Sequence, residues 1–103
     1  MKQYDVCSTS GPGIAGGARL VLVLQHRLLS DLDTVVVAPL FRASELDAVR
    51  QLRPTVSIEA GDYVIAIDRM ASLPRRLLGK AVANLSPMDY EIRKALDLIF
   101  SGF

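Results

Sequence analysis

The strongest structural signal in this sequence is its C-terminal segment, "SPMDYEIRKALDLIFSGF", residues 86–103. Ser86 suits the N-cap position of a helix, Pro87 suits the first helical position, and Asp89 falls in the first turn. Apolar residues recur every three or four positions, which places them on one face of an amphipathic helix. This stripe comprises Met88, Ile92, Ala95, Leu96, Ile99 and Phe100. The pattern predicts a C-terminal helix that packs this face on a core and ends near Gly102.

The last residue, Phe103, has two interpretations. It continues the phase of Phe100, which favours burial on the same helix face. Chain termini are usually frayed and polar, however, so a terminal phenylalanine also suits contact with a partner. The pattern leaves both interpretations open. Tyr90 and Leu98 lie off the stripe and mark where a second contact surface is to be sought.

Most of the chain before this helix is predicted to form β-strands. The segments 18–29 and 33–41 are rich in valine and leucine, and "QYDVCS" near the N-terminus alternates weakly. Residues 55–68 give the clearest hairpin, because "EAGD" separates two apolar runs. Proline cannot donate a hydrogen bond within a sheet, so the prolines in this part of the chain are expected at strand edges. These are Pro39, Pro54 and Pro74.

Two connections between the predicted strands need interpretation. Residues 44–52 fit either a short helix with Ser44 as its N-cap or a loop between strands. The glycine-rich segment "SGPGIAGGA", residues 10–18, is interpreted as the loop of a β-hairpin. A phosphate-binding loop is not favoured, because a strand follows these glycines where such a loop needs a helix.

Composition excludes several classes of protein. The 103 residues suit one domain over residues 1–103, and 50% are hydrophobic while 22% are charged, which indicates oligomerisation. A net charge of +1 gives no electrostatic case for binding nucleic acid. The single cysteine, Cys7, excludes an intrachain disulfide. No apolar run is long enough to span a membrane and no signal peptide is recognised, so a cytoplasmic protein is expected.

Candidate catalytic residues are sparse. His26 is the single histidine and has no serine, cysteine or aspartate pattern beside it, and Cys7 is interpreted as a buried thiol. The basic segment "PRRLLGK" carries Arg75, Arg76 and Lys80, but it lacks the aromatic residues that accompany a surface for single-stranded nucleic acid. Neither a metal site nor another cofactor is predicted. Taken alone, the residues indicate a small β-rich domain without an enzyme active site.

The order of three C-terminal segments resembles the CcdB toxin family. These segments are "MASLP" (70–74), "LLGKAVANLS" (77–86) and "EIRKALDLIFSGF" (91–103). Upstream, "LVLVLQHRLL", "VVVAPL" and "LRPTVSI" follow in the family's order, so the resemblance covers about residues 20–103. The C-terminal third is its specific part.

The resemblance implies a fold and a mechanism. The fold is β-rich α+β: a small, strongly bent antiparallel sheet, barrel-like as in CcdB and MazF toxins, with one long C-terminal helix, in a homodimer. The mechanism is that of a toxin that binds the DNA gyrase A subunit and traps cleaved DNA. A CcdA-like antitoxin would neutralise it, and the complex would repress its own operon in a plasmid-maintenance module. Such a protein acts by binding and is not an enzyme.

The resemblance also implies roles for individual residues. Contact with gyrase is implied for Leu28, Leu29, Asp97, Ser101, Gly102 and Phe103. The "MASLP" segment lies near the two-fold axis in the family, which implies a dimer interface at Met70, Ala71, Ser72 and Leu73. The glycine-rich loop is expected to become ordered on binding antitoxin, through Gly11, Gly13, Gly16 and Gly17.

One departure from the family pattern bears on the target. Ser101 stands where the best-known family pattern has a tryptophan that stacks on a gyrase arginine. Serine has no aromatic face, so a cation–π contact worth about 1–2 kcal/mol is absent. Two alternatives to a gyrase poison therefore stay open. One is a toxin-like domain that binds antitoxin and co-represses without acting on gyrase, and the other is a MazF-type endoribonuclease that uses Arg75, Arg76 and Lys80.

Overall fold

The sheet of this protein curls strongly into a half-barrel, and one helix follows it at the C-terminus. The computed structural model describes residues 1–10, 17–26, 29, 31–59 and 61–102. The strands are β1 (Asp5–Thr9), β2 (Leu20–Val23), β3 (Thr34–Arg42), β4 (Thr55–Ile58), β5 (Gly61–Ile65), β6 (Ala71–Pro74) and β7 (Leu78–Asn84). Short 3-10 turns span Ile67–Arg69, Arg75–Leu77 and Ser86–Met88, and the helix α1 spans Asp89–Ser101.

All strand pairs within the described residues are antiparallel, in the order β4-β5-β3-β2-β1-β7, with β6 beside β3. The prediction of a bent antiparallel sheet with a C-terminal helix is confirmed. The hairpin predicted over 55–68 is formed by β4 and β5. The pairing of β1 with β2 confirms the other predicted hairpin, whose loop at residues 11–16 lies outside the described residues. The strand predicted within residues 18–29 is β2, which is shorter than this segment, since it spans Leu20–Val23.

Strand β3 is the centre of the sheet, because β2 lies on one side of it and both β6 and β5 lie on the other. It pairs with β6 over Thr34–Val37 and with β5 over Leu40–Arg42. Pro39 lies between these two stretches, and its carbonyl accepts a hydrogen bond from the Ala66 N–H at 2.9 Å. The prediction of an edge position for Pro39 is therefore wrong. Its missing N–H faces the gap where one partner strand gives way to the next, so no sheet hydrogen bond is lost.

The strands bury side chains on both faces of the sheet. On one face, Leu22, Ile65 and Ile67 belong to a core that includes the helix residues Ile92 and Ala95. The opposite face has a smaller core, formed by Cys7, Val21, Val23, Val35 and Val37 and flanked by Leu73 and Leu78. Because both faces are covered, "LVLV" and "VVVA" read as continuous apolar runs and do not alternate.

The helix α1 packs as predicted except at its C-terminal end. Ile92 and Ala95 are fully buried, and Met88, Leu96 and Ile99 pack against the main core. Phe100, however, is 73% exposed, so its assignment to the buried face is wrong. Each residue advances about 100° around a helix, and the step beyond Ile99 carries this side chain out of the core contact.

The start of α1 also differs from the prediction. The N-cap of α1 is Met88, which makes no side-chain capping hydrogen bond, and Ser86 begins a 3-10 turn. The backbone N–H of Ser86 instead donates to Oδ1 of Asn84 at 3.0 Å. Residues 44–52, the other predicted helix start, contain no helix, so the loop interpretation is confirmed. Gly102 ends α1 in the left-handed region at φ 78°, as predicted.

Candidate target-binding surfaces

The C-terminal end of α1 forms an exposed tip. The side chains of Asp97, Phe100 and Ser101 are all exposed. Gly102 follows in the left-handed conformation, and its N–H donates to the Leu98 carbonyl at 3.1 Å, which closes the last turn. Of the predicted gyrase contacts, Asp97, Ser101 and Gly102 therefore lie together at this tip. Phe103 lies outside the described residues.

The opposite end of α1 is held by a network that the sequence analysis missed. The buried Tyr4 hydroxyl donates a hydrogen bond to Oδ1 of Asp89, and Nε of Arg93 donates to the same oxygen at 2.8 Å. The Tyr4 hydrogen bond, followed by the Arg93 interaction, lowers the pKa of the Asp89 carboxyl. Burial, followed by the hydrogen bond to Asp89 and its negative charge, raises the pKa of Tyr4. Only the Asp89–Arg93 spacing of four was visible in the sequence.

A second exposed apolar site lies on the connection between β2 and β3. Leu29 is 50% exposed, and its carbonyl accepts a hydrogen bond from Nε2 of Gln25 at 3.2 Å. Oε1 of Gln25 accepts a hydrogen bond from the Val36 N–H at 3.3 Å, which joins the connection to β3. Leu29, a predicted gyrase contact, is thus held at the surface. The neighbouring predicted contact, Leu28, lies outside the described residues.

The predicted dimer residues lie in and just before β6. Ala71 and Ser72 are exposed, whereas Leu73 packs on the smaller core and Met70 packs on the main one. In the described part of the sheet, β6 pairs with β3 alone, so its other edge is unpaired. An unpaired edge with exposed small side chains is a template for pairing with another strand.

A cleft of about 390 Å³ lies elsewhere, between the start of β2 and the end of β3. Its polar lining includes Arg19, Arg42, Glu45 and Tyr63, and Gly17 lies at its rim. The Arg42 guanidinium lies 5.5 Å from the centre of the Tyr63 ring, and the Arg42 N–H donates to Oε1 of Glu45 at 3.3 Å. Within the described residues, neither Arg19 nor Arg42 forms an ion pair. The cleft therefore presents two cations to solvent.

No local sequence pattern predicts this cleft, because its residues come from three separate segments. The basic residues of the "PRRLLGK" segment, Arg75, Arg76 and Lys80, do not line the cleft. The only sequence signal was Arg19 directly after the glycine-rich stretch. Of the four glycines expected to contact antitoxin, Gly17 is exposed at φ 91°, and Gly11, Gly13 and Gly16 lie outside the described residues.

No metal-binding group is formed by the histidine, cysteine and acidic residues that the structure describes. Cys7 is buried in β1, and this burial raises the pKa of its thiol, which agrees with its interpretation as an inert core residue. In the same part of the chain, no helix has the length and apolar character needed to cross a membrane.

A family model described as "CcdB protein" matches residues 3–102, which is nearly the whole chain. The chain belongs to the CcdB family. This membership indicates a toxin of a toxin–antitoxin system, and it extends the resemblance seen in the C-terminal segments to the N-terminal strands.

Solved structures of other toxins share the fold of this CcdB family member. The Mycobacterium tuberculosis toxin MazF-mt6 is 19% identical with a TM-score of 0.76, and the match covers 93% of this chain and 95% of that chain. A mycobacterial endoribonuclease, solved in complex with its cognate antitoxin, is 17% identical with a TM-score of 0.75; coverage is 94% of this chain and 91% of that chain. At such identities the likeness shows the fold alone.

Proposed function

We propose that this CcdB family member is a toxin that binds the DNA gyrase A subunit and traps the complex of gyrase with cleaved DNA. The observation that carries the proposal is the exposure of Phe100, at 73%, beside Ser101 and Gly102. A large aromatic side chain at the surface of a capped helix end is typical of an interface anchor. Leu29 supplies a second apolar contact, and the toxin acts in the cytoplasm, where its target lies.

The proposal includes a homodimer in which β6 lies near the two-fold axis. Its unpaired edge and the exposed Ala71 and Ser72 support this arrangement, because a second copy would cover them. Two copies of the α1 tip would then act on the two A subunits of gyrase. Sedimentation at micromolar concentration is expected to show a species of twice 11.2 kDa; a monomer alone contradicts the dimer.

The proposal also includes an antitoxin partner of CcdA type, which neutralises the toxin and joins it in repressing the operon that maintains the plasmid. An antitoxin complex of a structural neighbour supports such a partner. Of the four glycines expected to contact antitoxin, Gly17 lies within the described residues, and its exposure suits contact with an extended antitoxin segment. Amide exchange at Gly17 and Ala18 is expected to slow when antitoxin binds, and unchanged exchange contradicts this contact.

Gyrase poisoning is tested with purified toxin, gyrase, ATP and supercoiled plasmid, by the appearance of linear DNA after denaturation of gyrase. Removal of residues 101–103 is expected to abolish cleavage while antitoxin affinity stays near that of the intact protein. Val49→Ser is the control, because Val49 is an exposed apolar residue in the loop between β3 and β4, outside the proposed contacts. Antitoxin binding without any gyrase-dependent cleavage would favour the domain that acts only as antitoxin partner and co-repressor.

A second candidate function, RNA cleavage, is favoured by the cleft that contains Arg19 and Arg42. Their guanidinium groups would hold a phosphodiester, and the Glu45 carboxylate would accept the proton of the 2′-hydroxyl as its oxygen attacks the phosphorus. The P–O5′ bond would break, the leaving 5′-oxygen would take a proton from water, and the products would be a 2′,3′-cyclic phosphate and a 5′-hydroxyl. The endoribonuclease among the structural neighbours supports this alternative. Single-stranded RNA is the test substrate. Arg19→Gln is expected to abolish any cleavage and Arg50→Gln, an exposed arginine outside the cleft, to leave it unchanged; intact RNA with the unaltered protein contradicts this function.

A further inference from the structure

The side chain of Arg75 makes several contacts with the connection between β2 and β3. Its Nε donates to the Leu32 carbonyl at 2.9 Å, and Nη2 donates to the Thr34 carbonyl at 3.4 Å. The backbone N–H of Arg75 also donates to the Asp33 carbonyl at 2.8 Å. One arginine therefore holds three successive carbonyls, two by its side chain and one by its backbone. The planar guanidinium suits donation to two carbonyls in a fixed geometry, which a lysine ammonium does not reproduce.

Several residues at or next to these contacts have exposed apolar side chains. Leu32 is 50% exposed, and its N–H donates to the carbonyl of Leu29, which is also 50% exposed. Nη1 of Arg75 lies 3.3 Å from the sulfur of Met1, which is 46% exposed. Single exposed apolar residues are ordinary, but neighbouring ones mark an interaction surface. Arg75 thus contacts Leu32 and Met1, two exposed apolar residues, and Leu32 is hydrogen-bonded to a third, Leu29.

We propose that Arg75 is a positioning residue that holds Leu29 and Leu32 as one apolar contact surface for the gyrase A subunit. This inference rests on the proposed function and deepens it, because Leu29 is already a proposed gyrase contact. Arg75 holds the carbonyls of Leu32 and Thr34 in the free toxin, so Leu32 and its hydrogen bond to Leu29 are in place before the target arrives. Preorganised contacts bind more tightly, because the ordering entropy is not lost at the moment of binding.

The test compares Arg75→Gln with Arg76→Gln. The two substitutions remove the same charge from adjacent residues, but the exposed Arg76 makes none of these hydrogen bonds. Amide exchange is measured first, in the absence of gyrase. At Leu32, Arg75→Gln is expected to accelerate exchange about tenfold or more, whereas Arg76→Gln leaves it unchanged. Arg75→Lys keeps the charge but loses the planar donor set, so intermediate acceleration is expected.

The affinity for the purified gyrase A subunit is measured next. Arg75→Gln is expected to weaken it about fivefold or more and Arg76→Gln less than twofold. Leu32→Ser is expected to weaken binding in the unaltered toxin but to have little further effect in the Arg75→Gln background, because both changes affect one surface. If Arg75→Gln does not fold, the same comparisons are made with Arg75→Lys.

Each outcome supports the inference or overturns it. Unchanged exchange at Leu32 in both Arg75 variants shows that Arg75 does not hold the connection. Faster exchange with unchanged gyrase affinity shows that the connection is held but is not a gyrase contact. If the unaltered toxin does not bind gyrase, the proposed function fails and the gyrase contact fails with it, while the exchange measurement still determines whether Arg75 orders the connection.

Discussion

The two ends of α1 differ in how they are attached to the rest of the protein. The N-terminal end is held by Tyr4, by Asp89 and by the buried side chain of Ile92. The C-terminal end exposes Phe100 and Ser101 and is closed by the backbone of Gly102. The two ends of one helix therefore differ in how much they contribute to the stability of the fold. The first half of α1 is packed on the core, whereas in its last turn Ile99 contacts the core and Phe100 and Ser101 are exposed.

The largest effect on stability is expected at the anchored half of the helix. Ile92→Ala removes a fully buried side chain from the main core and is expected to lower the free energy of unfolding by about 2–5 kcal/mol. Urea denaturation followed by circular dichroism measures this loss. Leu98→Ala, at a half-buried position of the same helix, is expected to cost less. Equal costs at the two positions would contradict the packing described for α1.

The asparagine that precedes the helix is expected to have the next largest effect. Oδ1 of Asn84 accepts from the Ser86 N–H at 3.0 Å, and its Nδ2 donates to Oδ1 of Asp5 at 2.9 Å. Asn84→Ala is expected to cost about 1 kcal/mol, as for the loss of a helix cap. Ser86→Ala is the control and is expected to change little, since Ser86 is not the N-cap of α1. A lower midpoint of thermal unfolding for Ser86→Ala than for Asn84→Ala would contradict this assignment.

The network at Tyr4 predicts a pH dependence of stability. The pKa of Asp89 is lower in the folded protein than its unfolded value of about 3.9, so the folded state is favoured when this carboxyl is ionised. The contribution is complete above the unfolded pKa and is lost as the pH falls through the folded pKa. Tyr4→Phe is expected to lower the unfolding midpoint at pH 7. That difference is expected to narrow below about pH 4, and a difference independent of pH would contradict the role of Asp89.

The smallest effect on stability is expected at the tip. Phe100→Ala removes a mostly exposed ring, so it is expected to change the free energy of unfolding by less than about 0.5 kcal/mol. Gyrase-dependent DNA cleavage is nevertheless expected to fall, because the ring is a proposed target contact. A loss of stability comparable to that of Ile92→Ala would mean that Phe100 belongs to the core, and the contrast between the two ends of α1 would disappear.

A tryptophan at position 101, as in the best-known family pattern, tests the proposed target contact at the tip of α1. Ser101→Trp adds an aromatic face at an exposed position and is expected to leave folding unchanged. If the family's stacking geometry is retained, gyrase poisoning should strengthen through a cation–π contact of about 1–2 kcal/mol. The plasmid cleavage assay measures this gain. A folded variant without any gain would indicate a different approach to the target.

Several elements followed from local sequence alone. The 3.6-residue period predicted α1, the apolar runs around "EAGD" predicted the β4–β5 hairpin, and Gly102 predicted the end of the helix. The order of the C-terminal segments predicted the CcdB family, which the match over residues 3–102 confirms. Each of these signals depends on residues that are close in the chain, so neighbouring side chains and backbone preferences suffice to specify them.

Other features arose only when distant segments packed together. Tyr4 and Asp89 are 85 positions apart, and the cleft with Arg19 and Arg42 joins three segments that no local pattern connects. Pro39 could occupy the central strand only because β6 and β5 leave a gap beside it. The exposure of Phe100 depends on where the core ends beneath α1. Periodicity specifies which residues share a helix face, but the surrounding sheet determines how much of that face is covered.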